Sequence, residues 1–127
     1  MQIRMLQEDD LPEVLGWFAK RKWPRPPSPG ILPKTAFVAE DEEGLVAATW
    51  IYLTNAQVAM IEWNVSNPQR SAQRCMTGLN KIVRHAKSFL SELDPPVNTI
   101  FHWTVNDKLA AYYEKRHGLK TVQKKIA

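Results

Sequence analysis

The sequence predicts a single α/β domain with one mixed sheet. Its 127 residues are enough for one hydrophobic core but not for two. Strand-like runs rich in β-branched and aromatic residues alternate with segments whose apolar residues recur every three or four positions. The content of hydrophobic residues, 44%, and of charged residues, 24%, is ordinary for a globular protein. We therefore expect strands in one sheet and helices packed against it.

The first third of the chain predicts a strand, a helix and a long loop. Residues 3–5 read as a short strand, and Asp9 or Asp10 can cap a helix that runs to about Lys20. One face of that helix is apolar and consists of Leu11, Val14, Leu15 and Phe18. Prolines and basic residues dominate segment 20–33, which excludes regular helix there and favours an extended path.

The middle of the chain predicts a hairpin, a further strand and the longest helix. Two β-rich runs, 35–40 and 45–53, flank the acidic turn 41–44, and another strand covers 57–65. The helix that follows ends before Pro95, and its apolar residues recur at helical spacing. Those residues are Met76, Leu79, Ile82 or Val83, Ala86, Leu90 and Leu93.

The last third contains the most informative motif of the chain. A β-rich run at 98–105 leads through Asn106 into a short helix that closes at Gly118, and Tyr113 follows Asn106 by seven residues. This unit resembles the end of the GNAT superfamily of N-acetyltransferases, in which a strand ends in Asn and the next helix carries a Tyr at that spacing. The order of predicted elements matches the GNAT order from about residue 2 to residue 125, with the Pro-rich loop in place of the second helix.

The resemblance implies a mixed, mostly antiparallel sheet of about six strands that splays between strands 4 and 5, with helices on both faces. In GNAT proteins the pantetheine arm of acetyl-CoA enters this wedge and pairs with strand 4, here residues 59–65 with Val65 at the end. Small stand-alone proteins with this pattern, including ones that tailed phages encode, resemble GNAT domains reduced to their core elements. The run 121–126 leaves room for one last strand, so a second copy of the chain is expected to complete the sheet as a homodimer.

The turn before the long helix is the expected site for the phosphates of acetyl-CoA. Free N–H groups and the helix dipole attract anions at a helix start. GNAT proteins carry an Arg or Gln followed by spaced glycines there. The corresponding residues of this chain are Arg70, Ser71, Ala72, Gln73, Arg74 and Cys75. Gln73 departs from the small residues of the family, and two alternatives remain: both arginines on a solvated helix face, and Ser71 as a simple helix cap. A buried, structural role is the alternative for Cys75.

Two catalytic groups follow from the resemblance. Tyr113 matches the general acid that reprotonates the leaving thiolate of coenzyme A, with ring packing on the sheet as the alternative and Tyr112 as the neighbouring candidate. Glu62, on strand 4, matches the carboxylate that accepts the proton of the attacking amine, directly or through water. His102 is the alternative base. Asn106 is expected to line the cofactor cleft or to cap its helix.

Strict alternation along strand 4 places Met60, Glu62 and Asn64 on one face and the residues between them on the other. His85 and His117 read as surface residues. Since no cluster of His, Cys and carboxylates has metal-ligand spacing, we expect no metal.

The leading functional hypothesis is an acetyl-CoA-dependent N-acetyltransferase that moves acetyl directly to a primary amine of a small molecule or a protein. The alternative is a non-catalytic GNAT-like module that binds a protein or nucleic acid through the basic loop around Trp23. The net charge of +4 suits an anionic ligand, but no nucleic-acid motif accompanies it. A single cysteine, no signal peptide and no membrane-spanning apolar run lead us to expect a cytoplasmic protein without a membrane partner.

Overall fold

The structure is a computed structural model. It describes the backbone of residues 1–102 and 107–121, and the side chains of residues 1–102 and 111–120. The elements follow the chain as β1 (Gln2–Met5), α1 (Leu11–Arg21), β2 (Ala36–Asp41), β3 (Gly44–Leu53), β4 (Val58–Ser66), α2 (Ala72–Ser91), β5 (Thr99–His102), α3 (Asp107–His117) and β6 (Lys120–Thr121). Short 3₁₀ turns precede α1 at Glu8–Asp10 and interrupt the Pro-rich loop at Pro29–Ile31.

The six strands form one sheet in the order β1-β2-β3-β4-β5-β6. The pairings from β1 to β4 are antiparallel, whereas β4–β5 and β5–β6 are parallel. Parallel neighbours need a crossover connection, which α2 and α3 provide. This mixed, mostly antiparallel arrangement confirms the predicted GNAT-like fold class. The described pairing of β4 with β5 ends at Ile61 opposite His102, and most of the predicted last strand lies outside the described residues.

The helices pack on both faces of the sheet, as the fold class requires. The sheet therefore divides the core into two clusters. On one face α2 and α3 cover a cluster that contains Phe37, Val46, Ile61, Ile82, Leu90 and Tyr113. On the opposite face α1 covers a second cluster that contains Val14, Trp17, Phe18, Val38, Trp50 and Val65. We call these the α2 face and the α1 face.

The side chain of Asp10, just before α1, holds strand β1 and makes no hydrogen bond to the helix start. Its carboxylate accepts from the backbone N–H of Gln7 and forms an ion pair with Arg4 at 2.9 Å, and Arg4 also pairs with Glu40 of β2. The helix itself buries Trp17 as well as the predicted Val14 and Phe18. Asp10 is the N-cap residue of α1, one of the two predicted positions, but its side chain makes no hydrogen bond to the helix start.

Helix α2 lies close against the sheet because it presents a glycine to it. A Cβ placed on Gly78 would come within 3.0 Å of Val46 Cγ1. Cys75 and Gly78 are buried on this face, whereas Met76 is 38% exposed. The predicted apolar face is thus wrong at its first position, Met76, because the smaller residues Cys75 and Gly78 are buried instead.

Strand β4 contains a β-bulge that reverses its faces. Glu62 is opposite Trp50 and Val65 is opposite Ala48, so two residues of β4, Trp63 and Asn64, stand against the single residue Thr49. Trp63 has a φ of 60°. An extra residue in one strand turns the following side chains to the opposite face. The strict alternation predicted for β4 therefore fails beyond Glu62.

Candidate active site

Asn64 and Tyr113 meet on the α2 face, next to the bulge. The Asn64 Nδ2 group donates a hydrogen bond to the Tyr113 hydroxyl oxygen at 2.7 Å. The Thr49 hydroxyl donates to Asn64 Oδ1, which fixes the orientation of the amide. This contact exists because the bulge carries Asn64 to the face on which α3 packs. The Tyr113 hydroxyl accepts from Asn64 and keeps its own proton for another acceptor.

Tyr113 is almost fully buried, with 1% of its surface exposed. Burial raises the pKa of its hydroxyl well above the ordinary value, against the opposing effect of the Asn64 hydrogen bond. The group therefore stays protonated at neutral pH. His102 of β5 is equally buried and packs edge-on against the Tyr113 ring, with 5.1 Å between the ring centroids.

Glu62 faces a different space from Tyr113. It lines a pocket of about 260 Å³ together with Tyr52, Met60 and Trp63. Trp63 belongs to the cluster on the α1 face, where its ring contacts Phe18. Glu62 and Tyr113 therefore open to opposite faces of the sheet.

The Pro-rich loop closes onto the pocket beside Glu62. Trp63 Nε1 donates to the Tyr52 hydroxyl at 2.9 Å, and that hydroxyl donates to the carbonyl oxygen of Ile31 at 3.0 Å. At the start of the same loop, Arg21 Nε donates to the carbonyl oxygen of Ser66 at 2.8 Å. The loop is thus joined to Tyr52 of β3 and to Ser66 at the end of β4.

The turn before α2 exposes backbone donors. Ser71 is the N-cap, and its hydroxyl oxygen accepts from the N–H of Arg74. Within the described part of the chain, no hydrogen bond uses the N–H of Ser71, Ala72 or Gln73, and all three residues are exposed. These amides form an anion-attracting helix start of the predicted kind.

The two arginines of this turn are ion-paired with the acidic turn of the hairpin. Arg70 Nη1 lies 3.0 Å from Asp41 and 2.9 Å from Glu43, and Arg74 Nε lies 2.9 Å from Asp41. The side chains of Asp41 and Arg70 are 1% and 10% exposed. Desolvation opposes ionisation of Asp41, but the N–H of Glu43 and the two guanidinium groups outweigh it and lower its pKa. Of the two, only Arg74 retains appreciable exposure, 42%.

Two further predicted cofactor residues, Val65 and Cys75, have buried side chains. Val65 is fully buried in the cluster on the α1 face. Cys75 is buried, and its thiol donates to the carbonyl oxygen of Asn67 at 3.4 Å. Asn106 lies outside the described residues.

His117 is buried, so the prediction of a surface residue is wrong. Only 4% of its surface is exposed, and Nε2 lies 3.0 Å from Asn80 Oδ1, an oxygen also 3.1 Å from the Tyr112 hydroxyl. Desolvation, with the nearby charges of Lys87, Arg116 and Arg84, lowers the pKa of His117 to about 4. In the sequence His117 follows the charged run Glu114–Arg116, and nothing in that run indicates that the His117 side chain at the helix end points inward.

The described residues contain neither a cluster of metal ligands nor a membrane-spanning helix. No group of three or more His, Cys, Asp or Glu residues there could hold a metal ion. No helix in the same part of the chain has the length and apolar character of a membrane span.

Comparisons with known proteins show similarity of fold only. No protein-family model and no curated protein sequence matches the chain. A transcriptional regulator from Bacillus halodurans C-125 is similar in structure, with a TM-score of 0.58 at 18% identity over 99% of this chain and 97% of that chain. A tetramutant of the BH1408 protein from Bacillus halodurans gives 0.56 at 16% identity, over 100% and 98%. Rv2747 from Mycobacterium tuberculosis, crystallised in complex with CoA and NLQ, gives 0.48 at 12% identity, over 69% of this chain and 58% of that chain. The near-complete coverage of the first two agrees with the GNAT-like fold.

Proposed function

We propose that this protein is an acetyl-CoA-dependent N-acetyltransferase that transfers acetyl directly to a primary amine. The observation that carries the proposal is the buried Tyr113 hydroxyl, which Asn64 holds at the bulge of β4. Strand β4 is the one that pairs in parallel with β5. A protonated hydroxyl with a fixed orientation is what a general acid needs. The GNAT-like fold supports the same activity by analogy only.

The helix start supports binding of the phosphate end of coenzyme A. The exposed amides of Ser71, Ala72 and Gln73 fit a pyrophosphate group, since they are unbonded within the described residues and stand at the positive end of the α2 dipole. Arg74 can add a charge from the rim, because its side chain is partly exposed. Arg70 contributes by holding the turn to Asp41, while its charge is already balanced there.

Bound acetyl-CoA would supply the activated acetyl group as a thioester. Tyr113 donates its proton to the departing sulfur from the α2 face. The raised pKa keeps the hydroxyl protonated at neutral pH, so it is present in the form that can donate. Asn64 is a positioning residue, because its hydrogen bond to the hydroxyl oxygen directs the proton away from the amide.

The acceptor amine would approach from the other side. Glu62 lines the pocket on the α1 face and takes the proton of the attacking amine, directly or through water. Base and acid then serve different atoms, the amine nitrogen and the thioester sulfur, in a direct transfer without a covalent enzyme intermediate. The pocket is largely apolar apart from Glu62 and Tyr52, which favours an amine on an apolar stem, from a small molecule or a protein side chain.

A second candidate function rests on the Pro-rich loop. Trp23 is 45% exposed, and the Arg21 guanidinium lies 5.1 Å from its ring centroid. An exposed tryptophan among cations can dock a protein partner. The ion pairing of Arg70 and Arg74 with the acidic turn favours this non-catalytic function, because it removes positive charge from the phosphate turn.

A calorimetric titration with coenzyme A separates the two functions. The enzyme requires saturable binding in the micromolar to low millimolar range. Ala72→Pro removes one amide at the first helical position, where proline is tolerated, and leaves the Ser71 cap in place, so it should weaken binding at least about fivefold. Gln69→Ala, an exposed change just before the turn, is the matched control. Absence of binding at millimolar coenzyme A would eliminate the transferase and leave the docking module.

A further inference from the structure

A second concave surface lies between α2 and α3, and every charged group on it is positive or can become so. The cleft has a volume of about 630 Å³ and is lined by Arg84, Lys87, Tyr112, Lys115, Arg116 and His117. We call it the basic cleft. Its volume falls within the range of small-molecule sites, about 300–1,000 Å³.

The positive charge of the basic cleft is not neutralised by the protein. Within the described part of the chain, none of Arg84, Lys87, Lys115 and Arg116 forms an ion pair, in contrast with Arg70 and Arg74 at the other end of α2. The charges of Lys87, Arg116 and Arg84 also account in part for the lowered pKa of His117. Four like charges around one concavity repel one another, and an anion between them would relieve that repulsion.

Helix capping explains only part of this cluster. Basic residues in the last turn of α3 interact favourably with the helix dipole, and Lys87 donates to the carbonyl oxygen of His117 at 2.8 Å. Arg84 lies in the body of α2, two turns before its end at Ser91, where the dipole does not favour a cation. The end of α3 therefore accounts for Lys87 and for the cations of α3 itself, but not for Arg84.

The basic cleft is separate from the predicted cofactor turn. Arg84 follows Ala72, the first residue of α2, by twelve positions, about 18 Å along the helix axis. The other wall belongs to the last two turns of α3. The phosphates expected at the start of α2 do not reach this distance while they remain on the amides there.

We propose that the basic cleft binds a small molecule that carries two or more linked phosphate groups. Arg84 and Lys87 form one wall and Lys115 and Arg116 the other, so each wall offers two cations to one phosphate of a linked pair. A nucleic acid fits less well, since the Tyr112 hydroxyl is bonded to Asn80 and its ring packs edge-on to His117, which removes it as a base-stacking platform.

The test is a calorimetric titration with inorganic pyrophosphate at low salt. The variant Arg84→Gln/Lys115→Gln removes one cation from each wall, and Lys20→Gln/Lys81→Gln removes the same charge from exposed positions that do not line the cleft. We expect the first to weaken pyrophosphate binding at least tenfold and the second less than twofold, with both melting temperatures near that of the wild type. Equal loss in the two variants would attribute binding to net charge, and no binding by the wild type would likewise overturn the proposal.

Two further binding experiments, with coenzyme A and with single-stranded DNA, determine which class of ligand the basic cleft binds. Saturating coenzyme A occupies the amides at the start of α2, so the pyrophosphate binding that remains should be the part that Arg84→Gln/Lys115→Gln weakens. Displacement of that part by coenzyme A would make the cleft part of the cofactor site and overturn its independence. A single-stranded 20-nucleotide DNA should bind the wild type more weakly than pyrophosphate does. Tighter binding that the cleft variant abolishes would replace the small ligand by a nucleic acid.

Discussion

At the scale of the residue, the candidate site depends on one asparagine. Without the bulge Asn64 would lie on the α1 face with Glu62, and the Tyr113 hydroxyl would be buried without this donor. Both ends of its amide are used, by Thr49 and by Tyr113, so the side chain has one orientation. A short, rigid amide is suited to this role because it reaches across the bulge without the rotamer freedom of a longer side chain.

The role of Tyr113 can be tested by removal of its hydroxyl. Tyr113→Phe keeps the ring packing, so we expect the turnover number to fall about ten- to a thousandfold, toward the lower end because coenzyme A is a good leaving group, while affinity for coenzyme A stays constant. Asn64→Ala should lower turnover less and add little in the Tyr113→Phe background, since it acts through that hydroxyl. Steady-state kinetics with any accepted amine gives both values. Additive losses would show that Asn64 acts independently of Tyr113.

At the scale of the element, two devices fix α2 on the sheet. Gly78 permits close approach at the middle of the helix. The pairing of Arg70 with Asp41 holds the helix start to the hairpin turn, where Gly44 has a φ of 118° and only a residue without Cβ is unstrained. Since the amides proposed to hold phosphate lie between these two points, their position follows from both.

The contact at Gly78 predicts opposite effects for the same substitution in two helices. In α1, a Cβ on Gly16 would meet no atom within 4 Å, so Gly16→Ala should stabilise the protein by about 0.5–1 kcal/mol through helix propensity. Gly78→Ala gains the same propensity but must displace Val46, and overpacking costs about 1–3 kcal/mol. We expect a net loss near 1 kcal/mol in urea unfolding. A stabilising Gly78→Ala would mean that α2 shifts outward freely.

The elements and their order were predictable because each depends on a local pattern. Tyr113 and Glu62 could be identified as candidates by their place in that order. Contacts between distant segments were not predictable, because no local pattern encodes them: Arg70 finds Asp41 only after the hairpin and helix have packed. The bulge at Trp63 was equally concealed, since neither Gly nor Pro marks it. For the same reason two predictions were wrong: the strict alternation of side chains along β4 and the surface position of His117.

At the scale of the whole molecule, charge is distributed unevenly along α2. Its start carries two arginines that the acidic turn balances, whereas its second half forms one wall of the unbalanced basic cleft. On the other edge of the sheet, the ion pair with Arg4 lowers the pKa of Asp10. The protein thus uses carboxylates where segments must be joined and leaves cations free where we propose that a ligand binds.

This distribution predicts two separate pH ranges of acid destabilisation. His117 has a pKa of about 4 in the folded protein against an ordinary 6.5, so the unfolded chain binds more protons between these values. Its contribution to stability is present above pH 6.5 and is lost as the pH falls to 4, with a slope of at most about 1.4 kcal/mol per pH unit. The pKa of Asp41 is lowered from 3.8, so its contribution is present above that value and is lost below it.

Urea midpoints measured from pH 7.5 to pH 2.5 can assign each range to its residue. His117→Gln keeps a polar partner for Asn80 and should flatten the decline between pH 6.5 and 4, whereas the exposed His85→Gln on α2 should leave that decline as in the wild type. Asp41→Asn should leave the upper range unchanged and reduce the loss below pH 4, from a lower stability at neutral pH because Arg70 and Arg74 lose their shared carboxylate. A His117→Gln protein with the full decline between pH 6.5 and 4 would show that burial and the surrounding cations do not keep this histidine neutral, and the electrostatic description of the basic cleft would have to be revised with it.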